Sequence, residues 1–429
     1  MSGVDLAREI RAAAARRGLK SGTDKQRVNK WDSGVTPDPD SQIYIAEALG
    51  IPLEAVDPDD WPNWLPGADG GVIPLGPAST VQALREAIRT TMERSRRHFL
   101  TAVSSTALIS LAYAWAAASG GAAAHPLAQA ADQDAGEWVD EDLVTLLEET
   151  SARLEASATE QRPHIAPLLD AYLRAVTNLL EHGRCAEPVR LRLHALAARL
   201  SQTVAWHRFD LGLHPEASKY WIAGLHSAHE GGDRDMGAAL LGDLAYQAAW
   251  RDDPQTAARI LERALSRAQH PSARSLLQLR LARALAALGE RRATLRALHA
   301  AEHLLGQSSG EPMPAWCAWM SEADIAVDSG QCLLDLGDTR HAHQLIREGR
   351  ELLPTSRDKT RGVFLAYQAK SHLDLGEPDL AAAAALESLR LAQRMGVPRC
   401  VELVRGLVPR FEAHPTAEGV PELLATTAA

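Results

Sequence analysis

The chain contains 429 residues, of which 46% are hydrophobic and 23% charged, and its formal net charge is −10. This composition is too apolar for a disordered chain, and its evenly spread charges argue against a protein that crosses a membrane many times. At roughly 100–200 residues per domain, the length predicts two or three domains. Four widely separated cysteines without a CxxC pair exclude a zinc ribbon, argue against a disulfide scaffold and favour a reducing, cytoplasmic compartment.

Charge is distributed unevenly near the N-terminus. Residues 1–34 contain eight Lys or Arg against four Asp or Glu, a local net charge of +4. Residues 35–84 then contain eight acidic residues and no Lys or Arg. Because the whole chain is acidic, binding to a polyanion must be local, and this step in charge indicates the N-terminus as the place. A solvated helix surface would give the same step without a partner.

The first 50 residues have the pattern of three short helices. Apolar residues recur at helical spacing from Leu6 to Ala14, and Gly18 can end that helix. A second helix is predicted from Thr23 to Ser33, with Thr23 or Asp24 as its cap. A third is predicted from Ser41 to Leu49.

The second predicted helix places polar side chains outward and apolar ones inward. Val28 and Trp31, three positions apart, are expected to face the core. The outward-facing side chains are Lys25, Gln26, Arg27, Asn29 and Lys30. In the major groove of DNA, Gln and Asn can pair with adenine, and Arg or Lys with guanine or phosphate. This helix therefore predicts contact with double-stranded DNA.

The run VNKWDSGVTPDPDSQIYIAEALGIPLEAV resembles the lambda-repressor/Xre class of helix-turn-helix regulators. In that class a recognition helix ends in I/V-x-x-W-E-x-G, and a proline and an AxALG(I/V)P helix follow. The matching positions are Val28, Trp31, Asp32, Gly34, Pro37, Ala46, Ala48, Leu49, Gly50, Ile51 and Pro52. The resemblance implies that residues 1–66 bind DNA. It implies that Lys25, Gln26 and Asn29 approach bases, and that Arg27 and Lys30 meet bases or phosphates.

The start of this domain departs from the class. Members have a complete helix before the one that SGVDLAREI matches here. Either that first helix is missing or the domain is compressed. A relic without DNA affinity is therefore an alternative to a working module.

Residues 67–137 are predicted to be a linker that contains a hydrophobic helical segment. Its Gly/Pro-rich start precedes a helix predicted from Val81 to Arg97. A twin-arginine export signal is resembled by residues 95–100 (SRRHFL) together with the apolar stretch that follows to Ala124. Ser and Thr interrupt this stretch, and actinobacterial regulators that the chain resembles carry a similar RR-x-F-L segment. We therefore expect a linker helix packed on the C-terminal region, with export or membrane attachment of a chain started at Met92 as the alternative.

Residues 138–429 consist of helical patterns separated by Gly, Asp or Pro turns, without strand-like alternation. Segments 211–225, 250–265, 288–305, 336–354 and 375–389 begin alike and resemble tetratricopeptide repeats, whose pattern is L-G-x-x-x-x-A. The small residue of that pattern falls at Ala217, Ala257, Ala342 and Ala381, with Thr294 as the departure. The fold class is therefore predicted to be all-α, a small helix-turn-helix domain followed by an α-solenoid of helical repeats.

Stacked helical hairpins form a superhelix with a concave groove that suits a peptide, a small molecule or a protein segment. The Trp residues that could line this groove are Trp206, Trp221, Trp250, Trp316 and Trp319. Tryptophans of this kind are more often core residues. Trp316 and Trp319 are preferred because the polar residues 321–324 flank them.

The sequence contains no motif for catalysis. Phosphate-binding, dinucleotide-binding and nucleophile-elbow patterns are absent. His299 and His303 have metal-pair spacing, but Ala300 stands where HExxH places its Glu. We therefore predict no enzyme, no cofactor and no metal site.

Together these patterns predict a cytoplasmic transcriptional regulator. Two chains, paired through the repeats, would place two recognition helices on an inverted-repeat operator, and a ligand in the groove would change their spacing. The alternative is a protein-interaction scaffold whose DNA-binding domain is inert.

Overall fold

In the computed structural model, the residues described are 3–32, 35–49, 56, 58, 73, 75–92, 103–118, 138–156, 161–307, 312–396 and 398–428. They form 20 α-helices and one short 3-10 turn, and they contain no strand. A single isolated β-bridge joins Trp138 to Arg184 within them. The all-α class predicted from the sequence is confirmed.

Three N-terminal helices, α1 (Gly3–Arg16), α2 (Lys25–Asp32) and α3 (Pro39–Leu49), surround a small core of their own. Its buried side chains are Ala7, Ile10, Ala13, Ala14, Val28, Trp31, Tyr44, Ile45 and Ala46. The Asp24 carboxylate caps α2 by accepting a hydrogen bond of 2.8 Å from the Arg27 backbone N–H. The helix predicted from Thr23 therefore begins at Lys25, after its cap.

The remaining helices continue along the chain to residue 428. They are α4 (Pro77–Met92), α5 (Ser105–Ala117), α6 (Glu141–Glu155), α7 (Arg162–His182), α8 (Glu187–Asp210), α9 (His214–Glu230), α10 (Arg234–Trp250), α11 (Pro254–Leu265), α12 (Pro271–Ala287), α13 (Arg291–Leu305), α14 (Glu322–Asp335), α15 (Thr339–Leu352), α16 (Asp358–Leu375), α17 (Pro378–Met395), α18 (Pro398–Arg405), α19 (Val408–Phe411) and α20 (Val420–Ala428). Ala315–Cys317 form the 3-10 turn.

Five helical hairpins form the array, namely α8–α9, α10–α11, α12–α13, α14–α15 and α16–α17. Each second helix begins at one of the five repeated segments, and each hairpin packs on the next. Apolar surface that one hairpin cannot bury is buried by its neighbour, which makes this a helical-repeat solenoid.

The small residue of each repeated segment is buried in the array. All five are fully buried, with exposures of 0%: Ala217, Ala257, Thr294, Ala342 and Ala381. Thr294 replaces alanine without leaving a buried polar group, because its hydroxyl donates to the Glu290 carbonyl at 3.0 Å. The array therefore tolerates the one departure from the pattern.

The turn inside each hairpin requires a residue in the left-handed region. Gly212, Gly289, Gly337 and Gly376 adopt φ of 73°, 75°, 81° and 78°. Asp252 takes the same place in the second hairpin with φ 59°, and it is the only non-glycine with positive φ among the described residues. Aspartate is among the side chains that enter this region more readily than most. The LG pattern of the repeats is thus a requirement of the backbone.

Helices α4 and α5 pack on the array, α4 against α7 and α9 and α5 against α11. Leu84, Leu111 and Trp115 join the same core as the first two hairpins. Residues 93–102 and 119–137, which include the RR-x-F-L segment, lie outside the described residues. None of the described helices is long and apolar enough to span a membrane.

Replacement of Gly289 by alanine tests the turn requirement. A Cβ there meets nothing within 4 Å, so the cost is that of the left-handed backbone alone. We expect Gly289→Ala to lower the free energy of unfolding in urea by about 1–2 kcal/mol. Gly306→Ala is the matched control, since Gly306 ends α13 with φ −73° and should be neutral or slightly stabilising. Equal losses in the two variants would contradict this account.

Candidate functional site: the surface of α2 and the inner face of the array

Helix α2 divides its side chains between the N-terminal core and the solvent. Val28 is fully buried and Trp31 is 7% exposed, which fixes the rotation of the helix. The predicted DNA-contacting residues Lys25, Gln26, Arg27 and Lys30 are exposed. The side chain of Asn29 lies outside the described residues. Four of the five predicted contacts therefore lie on the accessible surface of one short helix.

An open depression of about 510 Å³ runs along this surface. Its lining residues are Gly22, Asp24, Gln26, Arg27, Lys30, Trp31, Val35, Thr36 and Asp38. Gln26, Arg27 and Lys30 thus share one concavity. Neither Lys25 nor Lys30 is in an ion pair with any described residue. The depression offers cationic and amide donors to a polar partner.

Arg27 is held in place by a carboxylate at the start of α3. Its Nη2 lies 3.2 Å from Asp38 Oδ2, and both side chains are 49% exposed. Burial raises the pKa of Asp38, but hydrogen bonds from Ser41 and the charge of Arg27 outweigh it and leave that pKa below its usual value. The guanidinium also lies 5.8 Å from the centre of the Trp31 ring. An exposed pair of this kind contributes about 0–1 kcal/mol, so a phosphate can replace Asp38 at little cost.

Two further cations of the module are paired away from α2. Arg16 and Arg17 each bind Glu47 on α3, with N–O distances of 2.8 Å. Hydrogen bonds from Arg16 and Arg17 lower the pKa of the Glu47 carboxyl. These pairs join the end of α1 to α3, whereas Lys25 and Lys30 on α2 pair with no described carboxylate.

The preferred groove residues, Trp316 and Trp319, lie in the connection between α13 and α14. Trp316 is partly buried against a small cluster around Cys317 and Met320. Trp319 is 45% exposed, and its Nε1 donates to the Trp316 carbonyl at 2.8 Å. The Arg357 guanidinium lies 5.9 Å from the centre of the Trp319 ring. Trp316 is therefore a packing residue, whereas Trp319 lies on the surface.

The other three tryptophan candidates come together on α8, α9 and α10. With two more aromatic residues they form one cluster, whose members are Trp206, Phe209, Trp221, Tyr246 and Trp250. Ring centres of neighbouring members are 5.4–5.9 Å apart, mostly in edge-to-face arrangements. The three tryptophans could be identified from the sequence, but only the tertiary structure shows that they lie together.

A buried ion pair adjoins this aromatic cluster. Arg280 Nη1 on α12 lies 2.8 Å from Asp243 Oδ1 on α10, and the two side chains are 9% and 2% exposed. Asp243 also accepts hydrogen bonds from Gln202 Nε2 at 2.8 Å and Trp206 Nε1 at 3.1 Å. Burial raises the pKa of Asp243, although the Arg280 charge and these hydrogen bonds oppose the rise.

Further ion pairs lie along the first helices of the hairpins, α8, α10, α12, α14 and α16. We call the face that these helices form the inner face, and its row of ion pairs the polar ladder. Arg283 on α12 pairs with Asp328 on α14 at 2.7 Å and contacts Tyr367 on α16. Lys370 on α16 pairs with Asp335 at 2.7 Å. Sequence reasoning missed these residues. Their local pattern gives no signal, because other charged residues lie on the same helices.

Comparisons with known proteins inform only the N-terminal module. Residues 1–56 match the family model described as the SP15 N-terminal domain, and this match spans α1, α2 and α3. No curated protein matches the chain. The family description states no activity, so DNA binding stays a prediction. Among the described residues no group of three or more His, Cys, Asp or Glu side chains is arranged to hold a metal ion.

Removal of Arg280 tests whether the inner face holds the hairpins in register. Arg280→Ala leaves the Asp243 carboxylate buried without its cation, and we expect a loss of about 3–5 kcal/mol in urea unfolding at pH 7. Because burial raises the folded-state pKa of Asp243, the loss should shrink as pH falls toward the usual value of about 3.9.

Arg390→Ala is the matched control for this measurement. Arg390 is 67% exposed and lies 3.6 Å from an equally exposed Glu422, so its removal should cost less than about 1 kcal/mol. Similar losses in Arg280→Ala and Arg390→Ala would argue against a stabilising inner-face pair.

Proposed function

We propose that this protein is a cytoplasmic DNA-binding transcriptional regulator whose helical-repeat array binds a ligand and pairs two chains. The observation that carries the proposal is the surface of α2. Trp31 and Val28 anchor the helix, while Lys25, Gln26, Arg27 and Lys30 face solvent together. Amide and guanidinium groups on a short exposed helix are suited to the base edges and phosphates of the major groove.

Local charge supports a nucleic-acid partner at this site. Three carboxylates near α2, Asp24, Asp38 and Glu47, are engaged in capping and pairing. Lys25 and Lys30 remain available to phosphates. A single module of this charge on an acidic chain would bind weakly at physiological salt, so we propose a homodimer on an inverted repeat.

The array supplies a physical route from ligand to DNA. Helices α4 and α5, which follow the N-terminal module in the chain, pack on α9 and α11. Lys219 on α9 binds Glu86 on α4 at 3.0 Å, and Asp253 before α11 accepts from the Ser105 hydroxyl at 2.6 Å. A change in the relative positions of the hairpins would therefore move the attachment of the linker.

One observation favours the alternative of a protein-interaction scaffold. Large apolar side chains are exposed on and before the first helices of the C-terminal region. Trp138, Leu146 and Leu168 are 63%, 59% and 49% exposed. Apolar exposure of this kind suits a protein partner, including a second copy of the chain. Measurement of DNA binding separates the two functions.

Selection of genomic fragments by the full-length protein, in about 150 mM salt with competitor DNA, is the decisive experiment. We expect an enriched inverted repeat. Arg27→Ala and Gln26→Ala should then weaken binding to it by about 10–100-fold, because base contacts of this type contribute about 1–3 kcal/mol.

Arg390→Ala changes the net charge as Arg27→Ala does, but it lies far along the array and should leave DNA affinity unchanged. An absence of enrichment would favour the scaffold. Equal effects of Arg27→Ala and Arg390→Ala would show that α2 does not read the DNA.

A further inference from the structure

The two ends of the array touch each other across the inner face. Lys359 on α16 forms an ion pair with Asp210 at the end of α8, 149 residues earlier in the sequence. Arg399 on α18 approaches the same carboxylate, with Nη1 3.7 Å from Oδ1. In a repeat array each hairpin is stabilised mainly by its neighbours, so a contact between the first and last hairpins can break without unfolding either.

Arg399 enters an aromatic enclosure that belongs to other helices. Its guanidinium lies 5.9 Å from the ring centre of Phe209, 5.6 Å from Tyr246 and 5.7 Å from Trp250. Its side chain is 13% exposed. We call Asp210, Phe209, Tyr246 and Trp250 the cation cage. Three aromatic faces and a carboxylate are a general arrangement for binding a guanidinium or ammonium group.

The resident guanidinium uses this cage incompletely. Arg399 Nε is buried and has no hydrogen-bond partner among the described residues. The distance of 3.7 Å to Asp210 is also longer than the 2.7–2.9 Å of a direct charged hydrogen bond. The cage thus suits a cation, but the Arg399 guanidinium makes fewer hydrogen bonds there than its N–H groups allow.

The backbone of Arg399 is fixed to the C-terminal hairpin. The next residue, Cys400, is fully buried, as is Val404 one turn later, and both join the core of α16 and α17. Because this backbone is packed in that core, an opening of the cage that carries Arg399 away with its helix moves α18, α16 and α17 together away from α8. The Lys359–Asp210 pair breaks in the same movement.

We propose that the cation cage is the ligand site of the array, that its ligand is a molecule with a guanidinium or ammonium group, and that Arg399 occupies the cage when this ligand is absent. The inference rests on the sensor role proposed above and names its ligand class. A ligand competes with Arg399, so its apparent affinity is reduced by the fraction of molecules in which the cage is closed. Binding opens the contact between the ends of the array and changes its curvature.

Calorimetric titration with two isosteric probes tests the proposal without DNA. N-acetyl-arginine amide carries the guanidinium, and N-acetyl-citrulline amide replaces it by a neutral urea. We expect the arginine probe to bind Arg399→Ala about tenfold or more tightly than wild type, because the internal competitor is gone. The citrulline probe should bind neither protein, and Arg390→Ala should behave as wild type.

Two further variants keep the test decisive. Asp210→Asn combined with Arg399→Ala should lose the added affinity, since the cage then lacks its carboxylate. Lys359→Ala weakens the closure but leaves Arg399 and the cage rings in place, so it should also raise the affinity of the arginine probe and serves if Arg399→Ala does not fold.

Equal binding of the arginine and citrulline probes to Arg399→Ala overturns the proposal. So does an affinity for the arginine probe that is the same in wild type, Arg399→Ala and Lys359→Ala. These titrations are independent of the DNA experiment. Cation binding by a chain that fails to select DNA would leave the cage as a ligand site and remove only the regulatory role.

Discussion

Close approach of the two helices within each hairpin is the constraint on which the array depends. In α14–α15 a Cβ on Gly330 would lie 2.6 Å from Ile346 Cγ1, and one on Gly349 would lie 2.8 Å from the Ala323 carbonyl. No larger side chain fits at such distances without moving a helix. In α8–α9 a Cβ on Gly224 would lie 3.1 Å from the Ser201 Cβ. Close pairing of this kind lets the hairpins stack with their first helices along one face.

That inner face combines burial with charge. Burying an ion pair costs desolvation energy that its attraction only partly offsets, so such a pair is weak support for stability by itself. The Asp243–Arg280 pair instead fixes geometry, since Gln202 and Trp206 bind the same carboxylate from α8. Loss of one partner would leave a buried charge. The ladder therefore favours one arrangement of adjacent hairpins over its alternatives.

The contact of Lys359 and Arg399 with Asp210 differs from the rest of the ladder. Pairs between adjacent hairpins hold the repeat packing, whereas this contact joins the first hairpin to the last. This contact is additional to the packing between adjacent hairpins, which already holds the array together. A ligand that competes for this contact can shift the population between a closed and an open array without disturbing the packing inside each hairpin. The linker helices that rest on α9 and α11 lie on the first two hairpins, where a change in closure would act.

Local pattern in the sequence determined the helices, the turns and the outward face of α2. Val28 and Trp31 fix that face because helical periodicity alone decides which side chains are buried, and the LG turns follow from the backbone freedom of glycine. The tertiary structure alone decided which distant residues meet. The polar flank of Trp316 and Trp319 favours those two in the sequence, yet it is Trp206, Trp221 and Trp250 that converge in one aromatic cluster. The cation cage depends on Arg399 reaching Asp210 across the curvature of the whole superhelix, and curvature accumulates from small rotations between hairpins that no single repeat encodes.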